Sequence, residues 1–362
     1  FKGHPARIHD NEWARAMSRD TRRAAVVQIV KGQFLQSLPH VCGVDERVKM
    51  GLLLRVLVAS VLCLVFGAGG GFAQSFNEGP RKCQKCHEGE VDIWRATKHS
   101  QSFSDIHKKD EAKKILDAVG GSANMRTNAT CVLCHFTETK TSSTAKAMPT
   151  SGPSCESCHG PSSDWRDVHN AFGEGIDDPR KESSANKQKR IAAARKAGMI
   201  MPTMTFEVAS NCMGCHGLAR KEINGDTVSK MVDAGHPKDA KFELVAYSQG
   251  TVRHRFYAPN STINAEMSIA ERSRLYVVGQ AAQLVSAVTA LSGADNSQYV
   301  AIQRKRADDA RKSLQPLADL NEVKAFLENP TPDSARALAD ALLSRDISDK
   351  IKGVLPGKAD LK

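Results

Sequence analysis

Four short stretches of this chain repeat one pattern: CQKCH at residues 83–87, CVLCH at 131–135, CESCH at 155–159 and CMGCH at 212–216. C-x-x-C-H is the attachment sequence of c-type haem. Its two cysteines form thioethers with the haem vinyl groups, and the adjacent histidine binds iron from the proximal side. The chain therefore offers Cys83, Cys86, Cys131, Cys134, Cys155, Cys158, Cys212 and Cys215 for four covalent haem c groups, with His87, His135, His159 and His216 as proximal ligands. Every cysteine beyond residue 73 is used in these motifs. None remains for the disulfide framework or zinc site that paired cysteines would otherwise suggest.

Each iron has a sixth position. Beyond residue 73 the histidines outside the motifs are His99, His107, His169, His236 and His254. His99 and His169 each follow a tryptophan, Trp94 and Trp165, a few residues behind a haem motif. His236 lies in DAGHP, after a helix that Gly235 should stop. His254 lies in TVRHRFY, where a strand would put Val252, His254 and Phe256 on one face. His107 opens a lysine-rich helix and reads as a solvated residue. The distal candidates are thus His99, His169, His236 and His254. The methionines of GMIMPTM (Met199, Met201, Met204) read as loop and core fillers.

The chain has 362 residues and begins with Phe. Met50, the apolar run VLVASVLCLVF and GAGGGFA form a secretory signal over residues 50–73, with cleavage expected after Ala73. Residues 1–49 read as an upstream extension or start-site artefact. The expected location is the periplasm, with the extracellular space as the alternative. The formal charge of +11 falls to +6 without the first 73 residues, which hold ten Lys/Arg and five Asp/Glu. Four ferric haems, each with two propionates, would lower it to near +2, so the charge does not point to nucleic acid.

RKCQKCHEGEVDIWRATKHSQSF and CESCHGPSSDWRDVH, with CVLCH and CMGCH in the same order, resemble the cytochrome c-554 family of tetrahaem c-type cytochromes. The resemblance covers about residues 80–220. It implies closely stacked haems that carry electrons between periplasmic or membrane-bound redox proteins, with docking to a membrane quinol or hydroxylamine-type oxidoreductase system. It also implies that His169 caps the first iron and that His99 serves a later one. In the resembled protein the second haem is open; here the histidines suffice for four bis-histidine haems.

The expected fold is mainly α: short helices and long loops around four haems over residues 74–262, then a helical C-terminal bundle over 263–362. Within the first part, residues 242–257 are expected to form a hairpin turning at Ser248-Gln249-Gly250, and residues 181–198 a basic helix. In the second, Leu275, Val278, Ala282 and Val285 recur at helical spacing. The leading function is an exported electron relay. The alternatives are a haem enzyme acting on nitric oxide, hydroxylamine or nitrite at one open iron, and a subunit of an extracellular haem filament.

Overall fold

A computed structural model of the chain describes residues 74–238, 242–257, 260–351 and 353–362. The expected upstream extension and signal segment lie outside the described residues. The described chain falls in one compact unit, Ala73–Lys362. It is mainly helical, as expected.

The motif-bearing part is a chain of short helices: α1 (Pro80–Cys83), α2 (Glu88–Arg95), α3 (Lys98–Asp105), α4 (Asp110–Val119), α5 (Ala129–His135), α6 (Cys155–His159), α7 (Arg166–His169), α8 (Ser184–Lys196), α9 (Thr205–His216), α10 (Gly225–Asp233) and α11 (Leu244–Ser248). Their starts are set locally. Thr97 caps α3 through Ser100 N–H, and Asn128 caps α5 through the N–H groups of Thr130 and Cys131. Ser183 caps α8 and Asn224 caps α10. Each side chain satisfies an amide that the first helical turn leaves without a partner.

Between the second and third motifs, β1 (Thr137–Thr139) pairs antiparallel with β2 (Met148–Ser151), Thr137 opposite Ser151. The buried Thr137 hydroxyl donates to the Gly152 carbonyl at 3.0 Å. This two-stranded link holds the two motifs close in space.

The hairpin expected over residues 242–257 does not form. Glu243 instead caps α11, its carboxylate accepting from the N–H groups of Val245 (3.0 Å) and Ala246 (2.7 Å). Leu244, Val245 and Ala246 are all buried. Three consecutive buried residues fit a helix turn wedged into a core, not a strand with two unlike faces. His254 lies in the irregular segment that follows, held by Asn264, which accepts from Arg255 N–H (2.9 Å) and donates to the Arg253 carbonyl (2.6 Å).

Five helices follow: α12 (Ile269–Leu291), α13 (Ser297–Leu314), α14 (Asn321–Glu328), α15 (Pro332–Leu342) and α16 (Ser348–Ile351). Ser268 and Glu271 form a capping box at the start of α12, and Thr331 and Ser334 one at α15. Leu275, Val278, Ala282 and Val285 are buried as their spacing requires. So are Tyr276, Val277, Ala281 and Leu284, which makes α12 a central helix enclosed on several sides. Its core takes in Phe206, Ala209 and Met213 of α9 and Leu244 and Val245 of α11. The helix that ends in the fourth motif is thus built into the C-terminal core.

Candidate functional site

Each motif occupies a helical turn, and the geometry of that turn is what C-x-x-C-H needs. Residues i, i+3 and i+4 of a helix share one face, so two cysteines and a histidine at these positions address one flat group together. The second and fourth motifs end α5 and α9, and the third is α6. The first runs from the end of α1 through a turn in which the N–H groups of Cys86 and His87 both bond the Cys83 carbonyl. Gly160 follows α6 with φ +83°, and a Cβ there would stand 2.7 Å from the Gly198 carbonyl oxygen. Only glycine meets both the conformation and the contact.

Each motif histidine faces one histidine from elsewhere in the chain. Ring centroids are 6.2 Å apart for His87 and His169, 6.0 Å for His99 and His216, 6.1 Å for His135 and His236, and 6.3 Å for His159 and His254. The planes of the first pair are nearly parallel, at 17°, and those of the last nearly perpendicular, at 76°. The four histidines singled out from sequence are the four partners, and His107 is exposed on its short helical turn.

This spacing fits an iron between two imidazoles. Metal–nitrogen bonds of about 2.0 Å on either side, with the half-width of each ring added, bring centroids to about 6 Å. The tautomers fit as well. Nδ1 faces a carbonyl oxygen in His159 (Ile200, 2.8 Å), His236 (Pro237, 3.0 Å), His254 (Val252, 2.6 Å) and His169 (Arg166), and a carboxylate in His87 (Glu90, 3.3 Å). Such acceptors make Nδ1 the donor and leave the Nε2 lone pair for a metal. Burial pushes His135 and His216 down to about 4 and also lowers His99, His159, His169 and His236. That favours the neutral form that metals bind. His87 moves the other way, because its hydrogen bond with Glu90 favours the cation.

The motifs also touch one another. Cys83 neighbours Cys155, and Cys134 neighbours Cys215. Asn211 on α9 donates to the Cys158 carbonyl at 3.0 Å. The sites therefore adjoin in the order first, third, fourth, second.

Two arrangements hold this order in place. Glu156, buried in the third motif, accepts from the N–H groups of Glu78 (2.8 Å), Gly79 (2.7 Å) and Ser162 (3.0 Å), fastening the segment before the first motif to the third. A Cβ at Gly152 would stand 1.9 Å from the His99 carbonyl oxygen, so the backbone that carries His99 lies directly on the end of β2. Trp94 Nε1–H closes the same wall by donating to the Pro153 carbonyl at 2.8 Å.

Residues 82–160 match the family model described as cytochrome c554 and c-prime. The chain is also 28% identical over 169 residues to cytochrome c-554 of Nitrosomonas europaea, which covers 44% of this chain and 66% of that relative. The motif region of this chain is thus similar to cytochrome c-554. The match spans just under two thirds of the relative's length. No solved structure matches the chain. Among the described residues, no helix is long and apolar enough to cross a membrane.

Some functional residues carry no motif signal. Glu156 stands at a variable position of C-x-x-C-H, and its carboxylate is explained only by three amides distant in sequence. Arg190 is another. It holds Glu182 bidentately (2.7 and 2.6 Å), donates to the His169 carbonyl and lies over Phe172 at 4.8 Å. In sequence it is one more cation in a basic helix.

Proposed function

We propose that this chain is a tetrahaem electron relay whose four irons are each held by two imidazoles: His87 with His169, His99 with His216, His135 with His236, and His159 with His254. The observation that carries this reading is the common centroid spacing of 6.0–6.3 Å across four pairs, each joining a motif histidine to a distant one. When bound, haem supplies one-electron redox chemistry. The chain supplies the rest. Thioether cysteines fix each group covalently, two imidazoles fill both axial positions, and adjoining motifs set the groups in a continuous row.

The pairing bears on the enzyme alternative. His236 stands where a small nitrogen compound would need to bind opposite His135, so this chain differs from the resembled protein, whose second haem is open. A ligand set closed on all four irons suits passage of electrons and leaves no exchangeable position. The secretory signal expected over residues 50–73 supports a periplasmic setting, with other redox proteins as partners.

Low-temperature EPR of the fully oxidised protein, matured with four haems by intact mass, tests the reading. Four low-spin signals and no high-spin signal are expected. A high-spin iron that binds nitric oxide would overturn it in favour of the enzyme.

A further inference from the structure

Helix α8 has five lysines and arginines among its thirteen residues and no acidic residue. Among the described residues, only Arg190 of the five makes an ion pair. Arg190 has a side chain 13% exposed and clamps Glu182, 1% exposed, while also bonding the His169 carbonyl. Lys187, Lys189, Arg195 and Lys196 are exposed, as is Lys181 just before the helix. Lys189, Arg195 and Lys196 make no ion pair among the described residues. Lys189 and Lys196 are two turns apart and lie on one line of the helix surface. The preceding loop carries Glu174, Asp177 and Asp178, but Asp178 is engaged by Arg180 at 2.8 Å.

The place of this helix matters as much as its charge. Through Arg190 it is fastened to α7, which carries His169. His169 faces His87, and this pair stands at one end of the row of sites. It is also an open end. Cys86 is the one exposed cysteine among the described residues, and the His87 side chain is 48% exposed. An uncompensated cationic surface thus adjoins the site with the most accessible attachment. Opposite charge steers encounter and orients the partner before contact.

We propose that α8, with Lys181, is the docking surface for an acidic redox protein that exchanges electrons at the His87–His169 site. This rests on the relay reading. In the donor direction, one electron leaves the partner's cofactor and enters that site. The partner is oxidised by one electron, this chain is reduced by one, and no bond is made or broken.

The probe is reduced flavodoxin, a small acidic electron donor, mixed in stopped flow with the oxidised four-haem protein over a range of salt concentrations. The second-order rate constant should rise steeply as salt is lowered. The triple variant Lys189→Glu, Arg195→Glu, Lys196→Glu should lose roughly tenfold or more of that rate at low salt and most of its salt dependence. Haem content and midpoint potentials should stay unchanged. A control triple, Arg304→Glu, Lys312→Glu, Lys324→Glu, makes the same change in net charge on α13 and α14. It should keep most of the rate. Equal losses in the two triples, or no loss in the first, would overturn the proposal. Spin states recorded on the same samples separate the outcomes, because an open iron would refute the relay while leaving the location of the charge effect readable.

Discussion

His135 and His236 face each other at 6.1 Å between ring centroids, one at the end of α5 and the other just past the end of α10. The contact is prepared from both sides. Asn128 caps α5 while its amide donates to the Gly120 (2.8 Å) and Ser122 (3.1 Å) carbonyls. Beyond α10, the His236 N–H bonds the Met231 carbonyl at 2.8 Å, folding the histidine back on the helix end.

Replacing His236 with Ala should convert one iron of four to a high-spin form that binds carbon monoxide and has a raised potential. The haem should stay attached through Cys131, Cys134 and His135. EPR and carbon monoxide difference spectra read the change. An unchanged spectrum would mean that another group caps that iron.

Glu156→Ala removes the acceptor of three backbone amides, two of them buried. A loss of about 3 kcal/mol is expected, since each orphaned buried donor costs on the order of 1–3 kcal/mol. Glu156→Gln keeps an acceptor oxygen and should lose less. Denaturant midpoints of the four-haem proteins measure both.

The Arg190 guanidinium holds Glu182 below the usual carboxylate range. A depressed carboxylate contributes stability above its unfolded value of about 4.3 and loses it as the pH falls through the lower folded value. The EPR signal of the His87–His169 site should therefore hold steady down to about pH 4 and change only below it. In Arg190→Gln the onset should move to higher pH. A change in the native protein beginning near pH 6 would contradict the account.

Leu284 is fully buried on α12, in the core that also takes in α9. Leu284→Ala should cost about 3 kcal/mol. Because that core includes the helix of the fourth motif, far-ultraviolet dichroism and Soret absorbance should melt together and shift together. Separate transitions would show that the motif region and the C-terminal helices unfold independently.

What could be read from sequence followed the range of each signal. The C-x-x-C-H motifs, the helix stop at Gly235 and the spacing along α12 are local, and they appear in the structure where expected. The distal histidines could be shortlisted by supply, but their partners are set by packing across the whole motif region. For His236 and His254 nothing near them in sequence names the histidine opposite. The hairpin failed for a related reason. Residues 244–246 are apolar enough for either a strand or a helix, and the choice rests on the Glu243 cap and on the surface of α12. Likewise the apolar side of α9, at Phe206, Ala209 and Met213, is visible in sequence, but not that C-terminal helices cover it.

The facing pairs are interlaced along the chain. His99, His135 and His159 all lie between His87 and His169, and their own partners all come later. As the polypeptide emerges from its N-terminal end, thioethers can form motif by motif within five residues. No pair can close until His169 has appeared, and the remaining three wait for residues 216, 236 and 254 in turn. On the relay reading, attachment is early and local, whereas axial closure comes later and pair by pair, with loop-closure entropy borne toward the end of synthesis. On that reading the first group rests on one histidine until His169 appears, and the other three stay open to exchange until the last quarter of the motif region arrives.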